Sequence, residues 1–351
     1  MKIYIKNFLK NNLNKDNYNK ILIAVSYFNN FLFSINFLFK KFKYKNIKFK
    51  KIKNNLIIIS QVQRSGGTLL SQLFDSHPQI HSYPSELKLT KPKFDWTKKM
   101  NFVTFYNDPL LVSSAKYNNY KKDGSGIKAH KKNKNEFKFD FFLQNLIFKK
   151  LKIKNNLREN LSAYFTSFFN SFINYNNLIG PKKYVVTFLP RFVLMDENIN
   201  LFFKSYTNGK IICIIRSPTS WLASCINHSD EYKKNPMNTL MLWKMNALMT
   251  LKAKKKFKKN VIIVDFKDLI YQTENTIRKI CKEIKISYHK NMRRPSFNGE
   301  EIRSNSSFKT SFGKIDKTTL KREINKKYYK QCDAMLYECN YIRKDILKFK
   351  I

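Results

Sequence analysis

The stretch "LIIISQVQRSGGTLLSQLFDSHP", residues 56–78, decides the fold. It opens with a short apolar, β-branched run, as a buried strand does, and breaks at a polar loop with paired glycines. Leu69, Leu70, Leu73 and Phe74 then recur at helical spacing. A strand, a glycine loop and a helix in that order suit an anion-binding turn, with an ordinary tight turn as the structural alternative. Gly66 and Gly67 let backbone N–H groups come close to a ligand, and the helix start near Thr68 adds its dipole and unpaired N–H groups. Thr68 brings a hydroxyl and Arg64 a fixed charge with bidentate geometry. A nucleotide triphosphatase loop would carry a lysine before the Ser/Thr, and here Gly67 precedes Thr68.

Three further runs share the character of the first: "YVVTF" (184–188), "IICII" (211–215) and "VIIVD" (261–265). Helical spacings follow them, with Trp221, Leu222 and Cys225 after the third run and Leu269, Ile277 and Ile280 after the fourth. Strands alternating with helices predict an α/β domain: a P-loop-like parallel sheet flanked by helices on both faces. Asp268 reads as capping or anchoring a long helix after the last strand. The region 90–180 is less regular, with "DGSG" at 123–126 as a loop and Phe-rich helical pieces beyond, and 317–348 reads as one or two charged amphipathic helices.

The third run ends in Arg216, and Pro218 opens a helix that carries Ser224, eight residues beyond the arginine. Open α/β sheets bind ligands at the carboxyl edge of their strands, which suits Arg216 for a second phosphate. Arg216 paired with a surface carboxylate is the structural alternative.

Composition narrows the class of protein. Among 351 residues, 43% are hydrophobic and 15% aromatic, enough for a sizeable core and too much for a disordered chain. The formal net charge of +44 fits an anionic partner. It also fits a general drift toward Lys and Asn, and runs such as "KFKYKNIKFKKIKNN" (41–55) and "KAKKKFKKN" (252–260) have the look of drift. Cys213, Cys225, Cys281, Cys332 and Cys339 form neither a disulfide framework nor a zinc pattern, which suggests a reducing, cytoplasmic setting. No metal-ligand cluster stands out. Residues 1–52 read as a basic Lys/Asn-rich extension ahead of a domain over 53–351, and "ILIAVSYFNNFLFSINFLF" (21–39) within it as an apolar helix. That helix either packs on the domain, lies in a membrane interface between its basic flanks, or spans.

Taken in order, these motifs resemble the sulfotransferase superfamily, in particular the branch of tyrosylprotein and carbohydrate sulfotransferases and their bacterial relatives. The likeness runs over about residues 54–345. In that family a P-R-S-G-T-T-like loop, with H-P closing its helix, holds the 5′-phosphosulfate of 3′-phosphoadenosine-5′-phosphosulfate (PAPS). Here it reads Gln63-Arg64-Ser65-Gly66-Gly67-Thr68, running on into Leu69 and closed by His77-Pro78. An R-D-P element with a serine downstream holds the 3′-phosphate, and Arg216-Ser217-Pro218 with Ser224 matches it. Lys267-Asp268-Leu269 matches an E-D-L-like triplet, and "NSSFKTSFGKID" (305–316), with Ser306, Ser307 and Phe308, matches a segment that closes over the nucleotide.

The resemblance implies sulfuryl transfer from PAPS, without a metal, to a hydroxyl acceptor. A glycan is the preferred acceptor, with a protein tyrosine or a small alcohol open, and no specific nucleic acid is expected. The extension 1–52 would allow peripheral attachment to a membrane surface. The tyrosylprotein branch has a glutamate base after H-P, and Glu86 in "HPQIHSYPSEL" is the candidate counterpart, about one residue further from Arg64, with a cap of the element near Leu87 as its structural alternative. His81 and His130 are the alternative bases. Two departures stand out. The first loop threonine is Gly67, which removes a hydroxyl. Phe188-Leu189-Pro190 occupies the place of a K-T-P element without its lysine, with Arg191 next. A P-loop kinase or hydrolase, and a basic nucleic-acid- or membrane-binding protein, are the competing readings.

Overall fold

The computed structural model describes residues 39, 42–44, 46–87, 139–151, 156–302, 311–321 and 323–351, without the side chains of Ser85 and Phe141. The chain divides into two compact units, Met1–Lys50 and Lys51–Ile351. The apolar stretch 21–39, apart from Phe39, lies outside the described residues, as do His130, Ser306, Ser307, Phe308 and the DGSG loop. Among the described residues no helix is long and apolar enough to cross a membrane.

The second unit is built on a five-stranded sheet of β1 (Asn55–Ser60), β2 (Ile80–Glu86), β3 (Tyr184–Phe188), β4 (Lys210–Ile215) and β5 (Val261–Asp265). Their spatial order is β2-β3-β1-β4-β5, and every neighbouring pair is parallel. The chain leaves β1 for one side of the sheet, completes β2 and β3 there, and crosses to build β4 and β5 on the other. The carboxyl end of β1 is therefore the switch point at which sheets of this kind form a crevice.

The apolar runs are continuous because both faces of the sheet are covered. Ile57 and Ile59 of β1 face one core with α1 (Gly67–Phe74), Val186, Ile212 and Ile214. After β5, α8 (Phe266–Tyr271) and α9 (Thr273–Glu283) complete that core through Phe266, Leu269, Ile277 and Ile280. Leu56 and Ile58 face the opposite core, with the Phe-rich α3 (Leu157–Ser171), α2 (Phe141–Lys150) and α4 (Asp196–Ser205). A third cluster joins Ile215 and Ile263 to α5 (Pro218–Ile226), α7 (Pro236–Phe257) and α10 (Lys326–Leu347). A short helix, α6 (Asp230–Lys234), lies between α5 and α7.

The four expected strands form, and a fifth, β2, joins them at the sheet edge. Its sequence, "IHSYPSE", has neither an apolar run nor strong β-propensity, and Pro84 cannot donate to a ladder. An edge strand tolerates this, with a register irregularity between Ser82 and Glu86 where it pairs with β3. Of the two roles expected for Asp268, capping falls to Asp265 and anchoring stays with Asp268. Asp265 caps α8, its Oδ1 accepting from Lys267 N at 3.1 Å, while Asp268 pairs with Lys350 at 2.7 Å. The single long helix expected there breaks at Gln272 into α8 and α9.

Candidate active site

A cleft of about 280 Å³ opens at the carboxyl edge of the sheet. Every one of the five strands contributes to it or hands over to a residue that does: Arg64, Gly66, Thr68 and Leu69 after β1, Glu86 at the end of β2, Phe188 and Pro190 at β3, Arg216 after β4 and Phe266 after β5. Ser224 and His228 from the α5 segment, and Ile315, Asp316 and Thr319 from the C-terminal part, complete the wall.

The loop after β1 turns through two left-handed residues, Arg64 (φ 69°) and Gly66 (φ 91°). At Gly66 the conformation favours glycine, and a Cβ there would stand 2.5 Å from the Phe266 ring. α1 begins at Gly67 with no side-chain cap, and its first internal bond runs from Leu70 N to Gly66 O at 3.0 Å. The N–H groups of Gly67, Thr68 and Leu69 thus precede the helix's own ladder, and the positive end of its dipole points into the cleft. Ser65 is fully buried, and its hydroxyl has no hydrogen-bond partner.

Arg216 is the brace of this arrangement. It is only 2% exposed. Its guanidinium donates to Arg64 O at 2.8 Å, to Thr319 O at 2.7 Å and to Ser220 Oγ at 3.1 Å, and lies 4.8 Å from the centre of the Phe266 ring. One side chain therefore ties the β1 loop to the C-terminal segment and to α5. Arg216 thus bonds to two carbonyls and a hydroxyl drawn from three different segments. Arg64 Nε donates to Ser224 Oγ at 3.3 Å, which brings the two expected phosphate contacts side by side.

Gln63 is held at both ends. Trp221 Nε1 donates to its carbonyl at 2.6 Å, and Arg191 Nε to its side-chain oxygen at 2.7 Å. Arg191, in a left-handed conformation (φ 63°), buttresses the loop through Gln63 and does not line the cleft.

The histidines separate by position. His81, an alternative base from sequence, is completely buried away from the cleft, with its ring 4.9 Å from that of Phe169 and its Nδ1 3.2 Å from the Tyr175 hydroxyl. The even positions of β2 and the odd ones face opposite cores, and His81 falls on the aromatic side. His77 is structural: its Nδ1 accepts from Gln79 N at 3.1 Å, and its Nε2 reaches Ser287 O at 2.7 Å. Burial holds its pKa below the ordinary histidine value. His228 lines the cleft, one helical turn beyond Ser224, and went unnoticed in the sequence although that spacing from Ser224 marks it. Burial, and then the Arg64 charge, lower its pKa. Asp316 ends the segment 305–316 matched from sequence, whereas Thr319 lies three residues beyond it and was illegible, because no local pattern announces a cleft residue there. Among the described residues no group of three or more His, Cys, Asp or Glu could hold a metal ion.

Sheet order, the switch-point loop and the helices on both faces define a P-loop-like α/β protein. The model of the sulfotransferase family matches residues 56–290, and the chain belongs to that family. Among solved structures it is similar to the sulfotransferase domain from the curacin biosynthetic pathway, at 14% identity over 86% of this chain and 100% of that one, with a TM-score of 0.43. The sulfotransferase domain of the Synechococcus PCC 7002 olefin synthase gives 11%, 84%, 97% and 0.43 for the same measures. A sulfotransferase from Alicyclobacillus acidocaldarius gives 11%, 86%, 98% and 0.43. No curated protein matches the sequence.

Proposed function

We propose that the chain transfers a sulfuryl group from PAPS to a hydroxyl acceptor, with a glycan as the preferred class. The observation that carries this reading is the convergence of Arg64, Gly66, Thr68, Leu69, Arg216, Ser224 and Glu86 on one cleft at the β1 switch point. The residues present suit a donor with two anionic groups. The loop packs its Gly66 directly against Phe266, its helix start is uncapped, and two arginines flank it.

PAPS supplies an activated sulfuryl group when bound. Arg64, the hydroxyl of Thr68 and the N–H groups of Gly67, Thr68 and Leu69 hold the 5′-phosphosulfate and stabilise charge on the departing phosphate. Arg216 and Ser224 sit at the 3′-phosphate, and Ser306, Ser307 and Phe308 belong to the segment that closes over the nucleotide. Glu86 takes the acceptor's proton as the acceptor oxygen bonds to sulfur and the bond from sulfur to the phosphate oxygen breaks. The products are a sulfate ester and 3′-phosphoadenosine-5′-phosphate (PAP), so positioning and charge carry most of the catalysis. Among the acceptors, Glu86 asks only for a hydroxyl.

Calorimetric titration of the full chain with PAP, with ATP–Mg²⁺ and with an oligonucleotide, at two salt concentrations, tests the assignment. PAP binding that survives the higher salt supports it. Binding of ATP–Mg²⁺ without PAP would move the protein to the kinase class, and a steep salt dependence without nucleotide preference to a polyanion binder. Incubation of sulfur-labelled PAPS with fractionated cell extract then identifies the acceptor class.

A further inference from the structure

Gln63 stands in the cleft wall, one residue ahead of the loop arginine. Both of its oxygens are engaged: the carbonyl accepts from Trp221 Nε1 at 2.6 Å, and Oε1 accepts from Arg191 Nε at 2.7 Å. An arginine can only donate, so the carboxamide oxygen must face it and the NH₂ group is fixed on the other side. That Nε2 has no partner among the described residues and, unlike the amide of Gln61, is not sealed from solvent. It is a preoriented hydrogen-bond donor in the wall of the cleft.

The strand order says which part of the cleft it serves. Arg216 and Ser224 come from the β4 side of the β1 loop, and Glu86, Phe188 and Pro190 from the β3 and β2 side. Trp221 holds the Gln63 backbone from the first side, while Arg191, directly after Pro190, draws its side chain toward the second. In-line transfer puts the sulfuryl group between the loop, which holds the departing phosphate, and Glu86, which takes the acceptor's proton. Its oxygens therefore lie on the side to which Gln63 turns. The other described side chains lining that side are a carboxylate, an aromatic ring and a proline, and none of them donates a hydrogen bond.

We infer that Gln63 binds the transferred group, its Nε2 donating to a sulfuryl oxygen of PAPS, and that Arg191 is the positioning residue that keeps the amide so turned. This rests on PAPS being the sulfuryl source. The P-R-S-G-T-T motif has a proline at this position, with neither amide nor N–H, so the contact is one that the motif does not contain.

PAP lacks the sulfuryl group that PAPS carries, so the ratio of their affinities isolates the contact. Calorimetry on the full chain, with no acceptor present, measures both ligands for the wild type, Gln63→Glu, Gln63→Leu and Arg191→Leu. Gln63→Glu keeps an oxygen for Arg191 and removes the donor. It should lower the PAPS-to-PAP affinity ratio about tenfold, as for one hydrogen bond to a charged group. Gln63→Leu should lower it as far. Arg191→Leu frees the amide to rotate and should lower the ratio about threefold, an effect that vanishes in the Gln63→Leu background. A side chain that only braced the loop would weaken PAP and PAPS alike. An unchanged ratio in Gln63→Glu, which retains the brace, would overturn the inference whatever the fate of Gln63→Leu. A wild-type chain that binds neither ligand refutes the PAPS assignment itself, which keeps the two failures apart.

Discussion

Replacing Arg216 by lysine removes geometry while keeping charge, and the structure sets the size of the effect. The guanidinium reaches two carbonyls on different segments, Arg64 O and Thr319 O, through separate nitrogens, and lies against the Phe266 ring. An ammonium is a single point donor on a flexible stem and lacks the flat face. Loss of one charge-assisted bond, with a buried carbonyl left unpaired, costs about 1.5–3 kcal/mol. Loss of the stacked cation adds about 0.5–1 kcal/mol. Arg216→Lys should therefore destabilise the chain by about 2–4 kcal/mol, the sum of those two terms. Because Arg64 belongs to the cradle, PAP binding should suffer too: about 2 kcal/mol of lost positioning is roughly 30-fold in affinity. Urea denaturation and calorimetric titration of the same preparation read both quantities. An unchanged urea midpoint together with PAP affinity within twofold of wild type would refute the bracing role.

Glu86→Gln should lower turnover with saturating PAPS by about 10²–10⁴-fold, the range for loss of a general base, and leave PAP affinity within threefold; full turnover would take the base role from Glu86. Burial pushes the thiols of Cys213, Cys225 and Cys339 up to about 12 and that of Cys281 up to about 11, so all four are protonated at pH 8. A thiol reagent should then label the native chain at these positions only on unfolding, and fast labelling of Cys225 would contradict its packing. His228, with a pKa below the ordinary value, is neutral above pH 7, and a bound anion favours its charged form. PAP binding should therefore take up a proton and tighten as pH falls below 7 toward the lowered pKa of His228, with the slope reduced in His228→Gln. Calorimetry in buffers of different ionisation heat measures that uptake, and an identical slope in the variant would exclude His228.

Much of the site was legible locally. The QRSGGT loop is contiguous, and Arg216 and Ser224 sit on one strand–helix unit, so chain order alone brings each group into view. Glu86 was legible only through likeness, since the strand that carries it has a proline and few apolar residues. It forms because β3 offers an edge, a fact that belongs to the assembled sheet.

The apolar runs and the helical spacings that follow them determine, within the sequence, that strands and helices alternate and that both faces of a parallel sheet are covered. They also determine that a glycine loop ends the first strand. Tertiary structure decided what surrounds that loop. The order β2-β3-β1-β4-β5 puts β1 in the middle, and only then do residues 61, 86, 188, 216, 228, 266 and 319 gather around one turn. The same packing gives Gly67 its reason, since the Gln61 amide excludes a side chain there, and makes Arg216 a brace between the distant segments at Arg64 and Thr319. Periodicity reports which face of an element is buried, and it carries no information about which distant residue shares the space.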